Sequence, residues 1–197
     1  MTSKTLRELG QETQNPASLA TASLVLVDYQ NTYTSGPMEL DGWEPALEEA
    51  SRLLEAARAA GAPVFHVVHD GGAGSLYDLE QDNGAIHPSL APEPGEEVVV
   101  KTAPNSFVGT RLGELLDGTG RREVVIAGFM THMCVTFTAE GALLHGSAPT
   151  VVAQACATRS LPSAAGDVTA EQLHRAALAT IGDVYGVVVS SVDALAG

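Results

Sequence analysis

The sequence predicts a doubly wound α/β domain: a mostly parallel sheet of six strands with helices on both faces, in a Rossmann-like arrangement. Short runs of β-branched, apolar residues recur along the chain, and stretches with helical periodicity separate them. Runs that are apolar almost throughout are typical of strands covered on both faces. Because the predicted strands and helices alternate, consecutive strands are expected to run parallel.

Six apolar runs are the predicted strands. In chain order they are SLVLVDYQ (23–30), APVFHVVHD (62–70), EEVVVK (96–101), REVVIAGF (122–129), APTVVAQA (148–155) and YGVVVSS (185–191). Each run is short and rich in valine or isoleucine, which favours strands over buried helical segments.

Four stretches between these runs are predicted helices. The clearest is 44–61, in which Pro45 suits the first helical turn and Gly61 suits the end. Its apolar stripe consists of Leu47, Ala50, Leu54 and Ala57. The other predicted helices cover 107–116, 134–143 and 169–181.

One connection interrupts the alternation of strands and helices. The segment 70–97 is long and rich in glycine and proline. A connection of that length inside a compact domain is usually functional.

Length and charge limit the class of protein. The 197 residues, 45% of them hydrophobic, predict one domain that spans 1–197, with a polar N-terminal extension over 1–20. The formal net charge of -14 repels phosphate backbones and anionic lipids, so neither a nucleic-acid nor a membrane partner is expected. The polar N-terminus and the absence of a long apolar run predict a cytoplasmic protein.

The two cysteines, Cys134 and Cys156, exclude a disulfide framework. Counting does not separate a single bridge from two free thiols, but a reducing compartment favours free thiols. A redox pair is one alternative function, although it would leave the acid and the lysine described next without a task.

Polar residues end or follow three of the predicted strands. Asp28 ends the first run, Lys101 ends the third, and Cys134 follows the fourth at a predicted helix start. Ligands in open parallel sheets bind beyond the carboxyl ends of the strands, so these three side chains are expected to meet there.

An acid, a cation and a thiol at one site suit nucleophilic catalysis. The thiolate is the attacking form of a cysteine, and both a neighbouring ammonium and a helix N-terminus would stabilise it. A carboxylate can take the thiol proton and return it to a leaving amine. Backbone N–H groups between Gly128 and Cys134 could stabilise the anion that forms when a carbonyl is attacked.

Three segments resemble the isochorismatase-like cysteine hydrolase family. They are VDYQN (27–31), VVVKTAPNSFVGTRL (98–112) and IAGFMTHMCVTFTAEGA (126–142), and the resemblance runs from Leu24 to about Val189. It implies the isochorismatase-like hydrolase fold and a catalytic triad of Asp28, Lys101 and Cys134.

The resemblance also implies the geometry of the turn before the cysteine. In the G-x-x-T-x-x-C-V pattern of the family, a cis peptide bond is expected between Phe129 and Met130. The backbone N–H groups of Met130 and Cys134 are then expected to form the oxyanion hole.

The family resemblance further suggests a substrate class. A nucleophilic cysteine favours an amide or other acyl substrate, so we expect a cysteine amidohydrolase that forms a thioester. A cationic lactam such as streptothricin would suit the acidic chain, and a nicotinamidase or an isochorismatase-type hydrolase is the alternative. Relatives commonly form dimers or tetramers, which predicts a homodimer or homotetramer with a small-molecule substrate.

No cofactor and no metal are expected. Nicotinamidases carry an Asp-x-His metal pair after the second strand, whereas glycines follow Asp70 here. His66 and His69 are weak metal-ligand candidates, because His66 lies in a buried run.

The expected substrate-binding residues are Gln30, Tyr33, Phe107 and His132, and the aromatic residues Trp43 and Tyr77 are weaker candidates. A nucleotide-binding module was the other alternative. It is not supported, because VDYQN stands where a G-x-G-x-x-G loop would follow the first strand.

Overall fold

The computed structural model describes residues 3–11 and 15–195, in which six parallel strands form one sheet. The strands are β1 (Ser23–Val27), β2 (Val64–His69), β3 (Glu97–Lys101), β4 (Glu123–Gly128), β5 (Ala148–Val152) and β6 (Val187–Val189). Their order is β3-β2-β1-β4-β5-β6, and every neighbouring pair is parallel. The predicted fold class is confirmed.

The strand order places a switch point at the centre of the sheet. The chain moves outward from β1 to β3 on one side, then returns to pair β4 with β1 on the other. The connections that leave β1 and β4 therefore diverge, which opens a crevice beyond their carboxyl ends.

Five α-helices accompany the sheet within the described residues. They are α1 (Leu6–Leu9), α2 (Trp43–Ala59), α3 (Leu112–Thr119), α4 (Thr136–His145) and α5 (Ala170–Thr180). The predicted stripe of α2 is buried against the sheet, as expected for an amphipathic helix. No helix in the described ranges is long and apolar enough to cross a membrane.

The predicted helix over 107–116 was wrong at its start, because α3 begins at Leu112. The preceding residues form turns instead. The Asn105 side chain accepts a hydrogen bond from the Phe107 N–H (2.9 Å), and Gly109 has a φ of 68°. A left-handed residue interrupts a right-handed helix, so the helix cannot extend back to Phe107.

The polar N-terminal segment contacts the domain in its described part. The Leu6 N–H donates to Asp183 Oδ1 (2.7 Å), and the Ala17 N–H donates to Thr150 Oγ1 (3.0 Å). Residues 1–2 and 12–14 of the predicted extension, and residues 196–197 of the predicted domain, lie outside the described residues.

The long connection between β2 and β3 folds over the carboxyl ends of the strands. It contains the short 3-10 turns Asp82–Gly84 and Pro88–Leu90. The buried Asp78 carboxylate accepts from the N–H groups of Gly74 (2.7 Å) and Glu80 (3.0 Å). These bonds give the segment a defined conformation without regular secondary structure.

Gly128 ends β4 in close contact with β1. A Cβ atom at this position would overlap the carbonyl oxygen of Val27 and approach the Val27 Cβ to 2.7 Å. The pairing of Val27 with Gly128 in the parallel register brings the two backbones together there. Glycine is therefore required for the two central strands to end side by side.

We predict that Gly128→Ala lowers the free energy of unfolding by about 3 kcal/mol, because the clash is with backbone that cannot move aside. Gly118→Ala is the control, since Gly118 is exposed on α3 and nothing lies within 4 Å of its added Cβ. Alanine there should be neutral or stabilising by about 0.5 kcal/mol. Urea unfolding measures both, and equal stabilities of the two variants would contradict the steric argument.

Candidate active site

Three strand ends bring an acid, an amine and a thiol into contact. Lys101 Nζ lies 2.7 Å from Asp28 Oδ2 and 3.3 Å from Cys134 Sγ. The exposed fractions of Asp28, Lys101 and Cys134 are 0%, 1% and 5%, so the cluster is shielded from bulk water. The three residues that the sequence places at strand ends do converge.

The turn after β1 aims Asp28 into the cluster. Asp28 has a φ of 53°, in the left-handed region, which aspartate tolerates better than most residues. Its N–H donates to Val67 O (2.9 Å), and its carbonyl accepts from the Gln30 N–H (2.8 Å). This tight turn reverses the chain immediately after the strand.

Cys134 lies in a π-helical turn, Thr131–Val135, that leads directly into α4. The peptide bond between Phe129 and Met130 is cis. Thr131 anchors the turn, because its N–H donates to Ala157 O (2.9 Å) and its carbonyl accepts from Thr136 Oγ1 (2.7 Å). The cysteine is thus presented at the start of the helical segment, as predicted, although α4 itself begins at Thr136.

The charges in the cluster favour a protonated thiol at rest. Burial, followed by the Asp28 charge, raises the pKa of the Cys134 thiol to about 12, and the Lys101 ammonium only partly opposes the rise. The expected stabilisation of the thiolate by the ammonium is thus present, but burial and the Asp28 charge outweigh it. The thiol must give its proton to a base in order to react.

Asp28 is the base within reach of the thiol. Burial raises the pKa of Asp28, while the Lys101 charge and the Cys134 thiol lower it. Within the described residues, Asp28 Oδ1 accepts no hydrogen bond of ordinary geometry. A carboxylate oxygen is therefore free to accept a proton, and the ammonium beside it keeps the pair charged.

Aromatic side chains cover the cluster. The hydroxyl groups of Tyr33 and Tyr77 lie 3.2 Å apart, and the Tyr77 ring lies 4.9 Å from the His69 ring and edge-on to it. Burial and then the Asp28 charge raise the pKa of Tyr33, which lies over the cluster. Tyr33 is thus placed near the thiol, a position compatible with its predicted substrate contact, and Tyr77 joins it from the long connection.

His69 contacts the cluster from the end of β2. Its Nδ1 lies 3.4 Å from Lys101 Nζ. Burial, followed by the Lys101 charge, lowers the pKa of His69. A neutral imidazole that accepts from the ammonium through Nδ1 carries its own proton on Nε2, as a further donor at the site.

The Gln30 side chain links two backbone segments through hydrogen bonds. Its Nε2 donates to His69 O (2.9 Å) and Gly84 O (2.8 Å), and its Oε1 accepts from the His69 N–H (2.9 Å). Both amide hydrogens are used within the protein, and the predicted substrate-binding role stays a prediction. The residue holds the long connection against the end of β2.

Phe107 lies apart from the cluster, against α4. Its ring centroid is 5.4 Å from that of His145, and it packs over Gly141. A cavity beside it is lined by residues of α3 and α4 and by none of the three clustered residues. The structure does not bring Phe107 into the cluster, because the turns before α3 direct it away from the strand ends, and its predicted contact with substrate stays a prediction.

His132 and Arg159 lie at the rim. His132 Nδ1 is 2.5 Å from Thr158 Oγ1, and the side chain is half-buried, which is compatible with its predicted contact role. Arg159 lies close enough to His132 and Tyr77 for its charge to act on both, and the sequence analysis did not single it out. Its signal was weak, since it follows an irregular segment after β5 and does not end a strand.

The remaining histidine and cysteine predictions can be compared with the structure. His66 is buried and bonded to Glu96 Oε2 (2.8 Å), as expected of a core histidine. Cys134 and Cys156 are both free, and the Cys156 thiol donates to Val152 O (3.3 Å). Within residues 3–11 and 15–195, no three His, Cys, Asp or Glu side chains are grouped to hold a metal ion.

The chain matches the family described as Isochorismatase domain over residues 22–193. It belongs to the isochorismatase family. A solved structure of an isochorismatase from Pseudomonas putida superimposes with a TM-score of 0.93 at 36% identity, and the match covers 96% of this chain and 97% of that one.

Named relatives in the family differ in their activities. The secreted isochorismatase effector Isc1 of Verticillium dahliae is 39% identical (90% of this chain, 92% of the relative). A streptothricin hydrolase of Streptomyces noursei is 35% identical (84% and 67%), and a maleamate amidohydrolase of Pseudomonas putida is 32% identical (88% and 84%). Isc1 is named as secreted, so the cytoplasmic location of this chain stays a prediction.

We predict that iodoacetamide labels Cys134 in preference to Cys156, because only Cys134 has a cation and a base beside it. Lys101→Met should slow this labelling at least about fivefold near pH 8, since loss of the ammonium raises the thiol pKa further. Peptide mapping by mass spectrometry locates the label. Cys156→Ser is the control and should react at the wild-type rate; predominant label on Cys156 would refute the assignment.

Proposed function

We propose that this chain is a cysteine amidohydrolase that cleaves a C–N bond of a small amide or lactam through a thioester. The observation that carries the proposal is the position of Lys101 Nζ, 2.7 Å from a carboxylate and 3.3 Å from a thiol. A base, a nucleophile and a fixed positive charge are the groups that acyl transfer requires.

In the first step, the Asp28 carboxylate takes the thiol proton as Cys134 Sγ attacks the substrate carbonyl. Proton loss and attack occur together, because the buried thiol is protonated at rest. The carbonyl oxygen becomes an oxyanion, and backbone N–H groups of Met130 and Cys134 stabilise it. In support, the Met130 N–H donates to no acceptor in the described part of the chain.

In the second step, the tetrahedral intermediate collapses and the C–N bond breaks. The protonated Asp28 gives its proton to the leaving nitrogen, which departs as ammonia or an amine. The acyl group stays on Cys134 as a thioester. Lys101 remains positively charged and offsets the charge that returns to Asp28 when the proton leaves.

In the third step, Asp28 takes a proton from water, which attacks the thioester carbonyl. The C–S bond breaks, the carboxylic acid is released, and the leaving Cys134 sulfur takes the proton that Asp28 received from water. One carboxyl group therefore moves a proton in each half of the cycle. A raised pKa suits this exchange, because the group must accept and donate near neutral pH.

The names of two relatives support cleavage of a C–N bond. One is a maleamate amidohydrolase and another a streptothricin hydrolase. A cysteine nucleophile also suits an acyl substrate, with which it forms a thioester. Both an open-chain amide and a lactam are therefore included in the proposed substrate class.

We also propose that the chain self-associates as a homodimer or homotetramer in the cytoplasm. Large apolar side chains are exposed on and beside α4, namely Val108, Phe137, Leu143 and Leu144. Exposed apolar surface of this kind supports association with another copy. Sedimentation as a monomer at micromolar concentration would refute the self-association.

The test of the proposed function is the release of ammonia or amine from a panel of amides, ureas and lactams that includes maleamate. We expect the wild-type protein to turn over at least one compound. Cys134→Ser should lose turnover, because a serine hydroxyl is a far weaker acid than a thiol. Release by the wild type and Cys134→Ser at equal rates would refute the thioester route.

We predict that Asp28→Asn slows acylation by about 10² to 10⁴, since the amide keeps the shape but accepts no proton. Asp70→Asn is the matched control. Asp70 also follows a strand end, its Oδ1 accepts from the Gly72 N–H (2.8 Å), and asparagine can keep this bond. Single-turnover mass spectrometry of the acyl-enzyme measures the acylation rate of both variants. If Asp28→Asn is acylated at the wild-type rate, another residue must act as the base.

A further inference from the structure

Thr131 begins the turn Thr131–Val135 that carries the nucleophile, and all of its polar groups are bonded within the protein. Its N–H donates to Ala157 O (2.9 Å), and its carbonyl accepts from Thr136 Oγ1 (2.7 Å). Its hydroxyl oxygen lies 3.1 Å from Ala157 O and 2.8 Å from His174 Nδ1. Thr131 is buried, so water does not compete for these contacts. The side chain is therefore an anchor of the turn and not a ligand contact.

The two contacts of the hydroxyl determine where His174 carries its proton. A threonine hydroxyl has one proton and can also accept, whereas the Ala157 carbonyl can only accept. The hydroxyl therefore bonds both neighbours at once by donating to Ala157 O and accepting from His174 Nδ1–H. Burial lowers the pKa of His174, so near neutral pH the ring is uncharged and Nδ1 holds its single N–H.

His174 ties the turn to a different element of the fold. It lies on α5, 43 residues farther along the chain than Thr131, and it is half-buried. It also lines a cavity of about 260 Å³, which Asp28, Lys101 and Cys134 do not line. The imidazole therefore bonds the turn from a position outside the cluster of reacting groups.

The backbone that Thr131 anchors includes the proposed oxyanion hole. The Met130 carbonyl accepts from the Met133 N–H (3.0 Å) and the Val135 N–H (3.3 Å), and the Met130 N–H is one of the two proposed donors to the oxyanion. Such donors are effective when their positions are fixed before the reaction, and a displacement of about 1 Å is costly. A side-chain hydrogen bond at the next residue, Thr131, restrains the rotation of this backbone.

We propose that His174 is a positioning residue, which holds the oxyanion hole in place through its hydrogen bond to the Thr131 hydroxyl. The inference rests on the proposed function, because it assigns His174 a part in the attack on the carbonyl. His174 acts on the Met130 and Cys134 N–H groups through the turn and contacts no substrate. It controls stabilisation of the oxyanion and leaves formation of the nucleophile to Asp28.

The test compares two reagents that react with the same thiol. Iodoacetamide is attacked at a saturated carbon and loses iodide, so no oxyanion forms. Propionaldehyde is attacked at its carbonyl: the Cys134 sulfur bonds to the carbon, the carbonyl electron pair moves to the oxygen, and the thiol proton passes to Asp28. Protection of Cys134 from iodoacetamide measures the dissociation constant of the aldehyde. Comparison of the two reagents therefore separates the oxyanion hole from the reactivity of the thiol.

His174→Asn and His174→Gln are a matched pair. Asparagine places an amide N–H near the position of Nδ1, whereas the longer glutamine places it near Nε2 and away from Thr131. We expect His174→Gln to weaken aldehyde binding about tenfold, less than the 10² to 10³ typical of removing an oxyanion donor, and to leave the iodoacetamide rate unchanged. His174→Asn should bind the aldehyde as the wild type does. So should the control Arg175→Gln, since Arg175 is the next residue on α5 and its side chain is 77% exposed.

A double-mutant cycle tests whether the effect passes through Thr131. Thr131→Val removes the hydroxyl and keeps the shape, so it should weaken aldehyde binding about as much as His174→Gln does. His174→Gln should then have no further effect in the Thr131→Val background. If His174→Gln does not fold, Thr131→Val alone gives the comparison of the two reagents. Unchanged aldehyde binding, additive effects in the cycle, equal losses in the two His174 variants, or equal losses with both reagents would overturn the proposal.

Hydrolysis gives a readout that distinguishes this proposal from the proposed function. For any amide that the wild type hydrolyses, His174→Gln should lower kcat about tenfold and leave KM nearly unchanged, because the oxyanion contacts form in the transition state. A raised KM with an unchanged kcat would overturn the positioning role. Aldehyde binding that depends on His174, in a protein that hydrolyses no amide, would support the positioning role and refute the proposed function.

Discussion

The buried ion pair between Asp28 and Lys101 is the interaction on which the site depends. Two opposite charges 2.7 Å apart, both removed from water, are tolerable only as a pair. Removal of one partner from such a pair typically costs about 3 to 5 kcal/mol, because the other charge stays buried. The Lys101 side chain crosses from β3 to the end of β1, and the thiol arrives from β4. The same two side chains therefore hold three strand ends together and make the thiol reactive.

The Cys134 thiol is protonated at rest, so it reacts only when it loses its proton. An isolated thiolate would attack any electrophile and would be open to oxidation, whereas a protonated, buried thiol is comparatively inert. Here the nucleophile forms only as its proton passes to Asp28. Tyr33, which is buried, and Tyr77 both lie near the thiol and add to the nonpolar surroundings that favour its protonated form.

The sequence analysis predicted the sheet and the three clustered residues because both follow from simple rules. Valine-rich runs define strands, and the carboxyl ends of parallel strands share one edge. The hydrogen bonds of Gln30 and the packing of Phe107 against α4 could not be predicted, because position along the chain does not determine hydrogen-bond partners or the direction of a side chain. Arg159 was missed for a related reason. Three residues of 3-10 turn and three of irregular chain separate it from β5, so its location depends on tertiary contacts.

The hydroxyl contact between Tyr33 and Tyr77 bears on how a ligand reaches the thiol. Cys134 is 5% exposed while the two hydroxyl groups are in contact, so little of the thiol can be reached by a ligand in this arrangement. A neutral hydrogen bond of this kind contributes only about 1 kcal/mol, so breaking it is a small barrier. Gln30 instead links the end of β2 to the long connection, because its side chain bonds the His69 backbone and Gly84 O. The connection is thus fixed to the sheet at Gly84, whereas a neutral hydrogen bond joins Tyr77 to Tyr33.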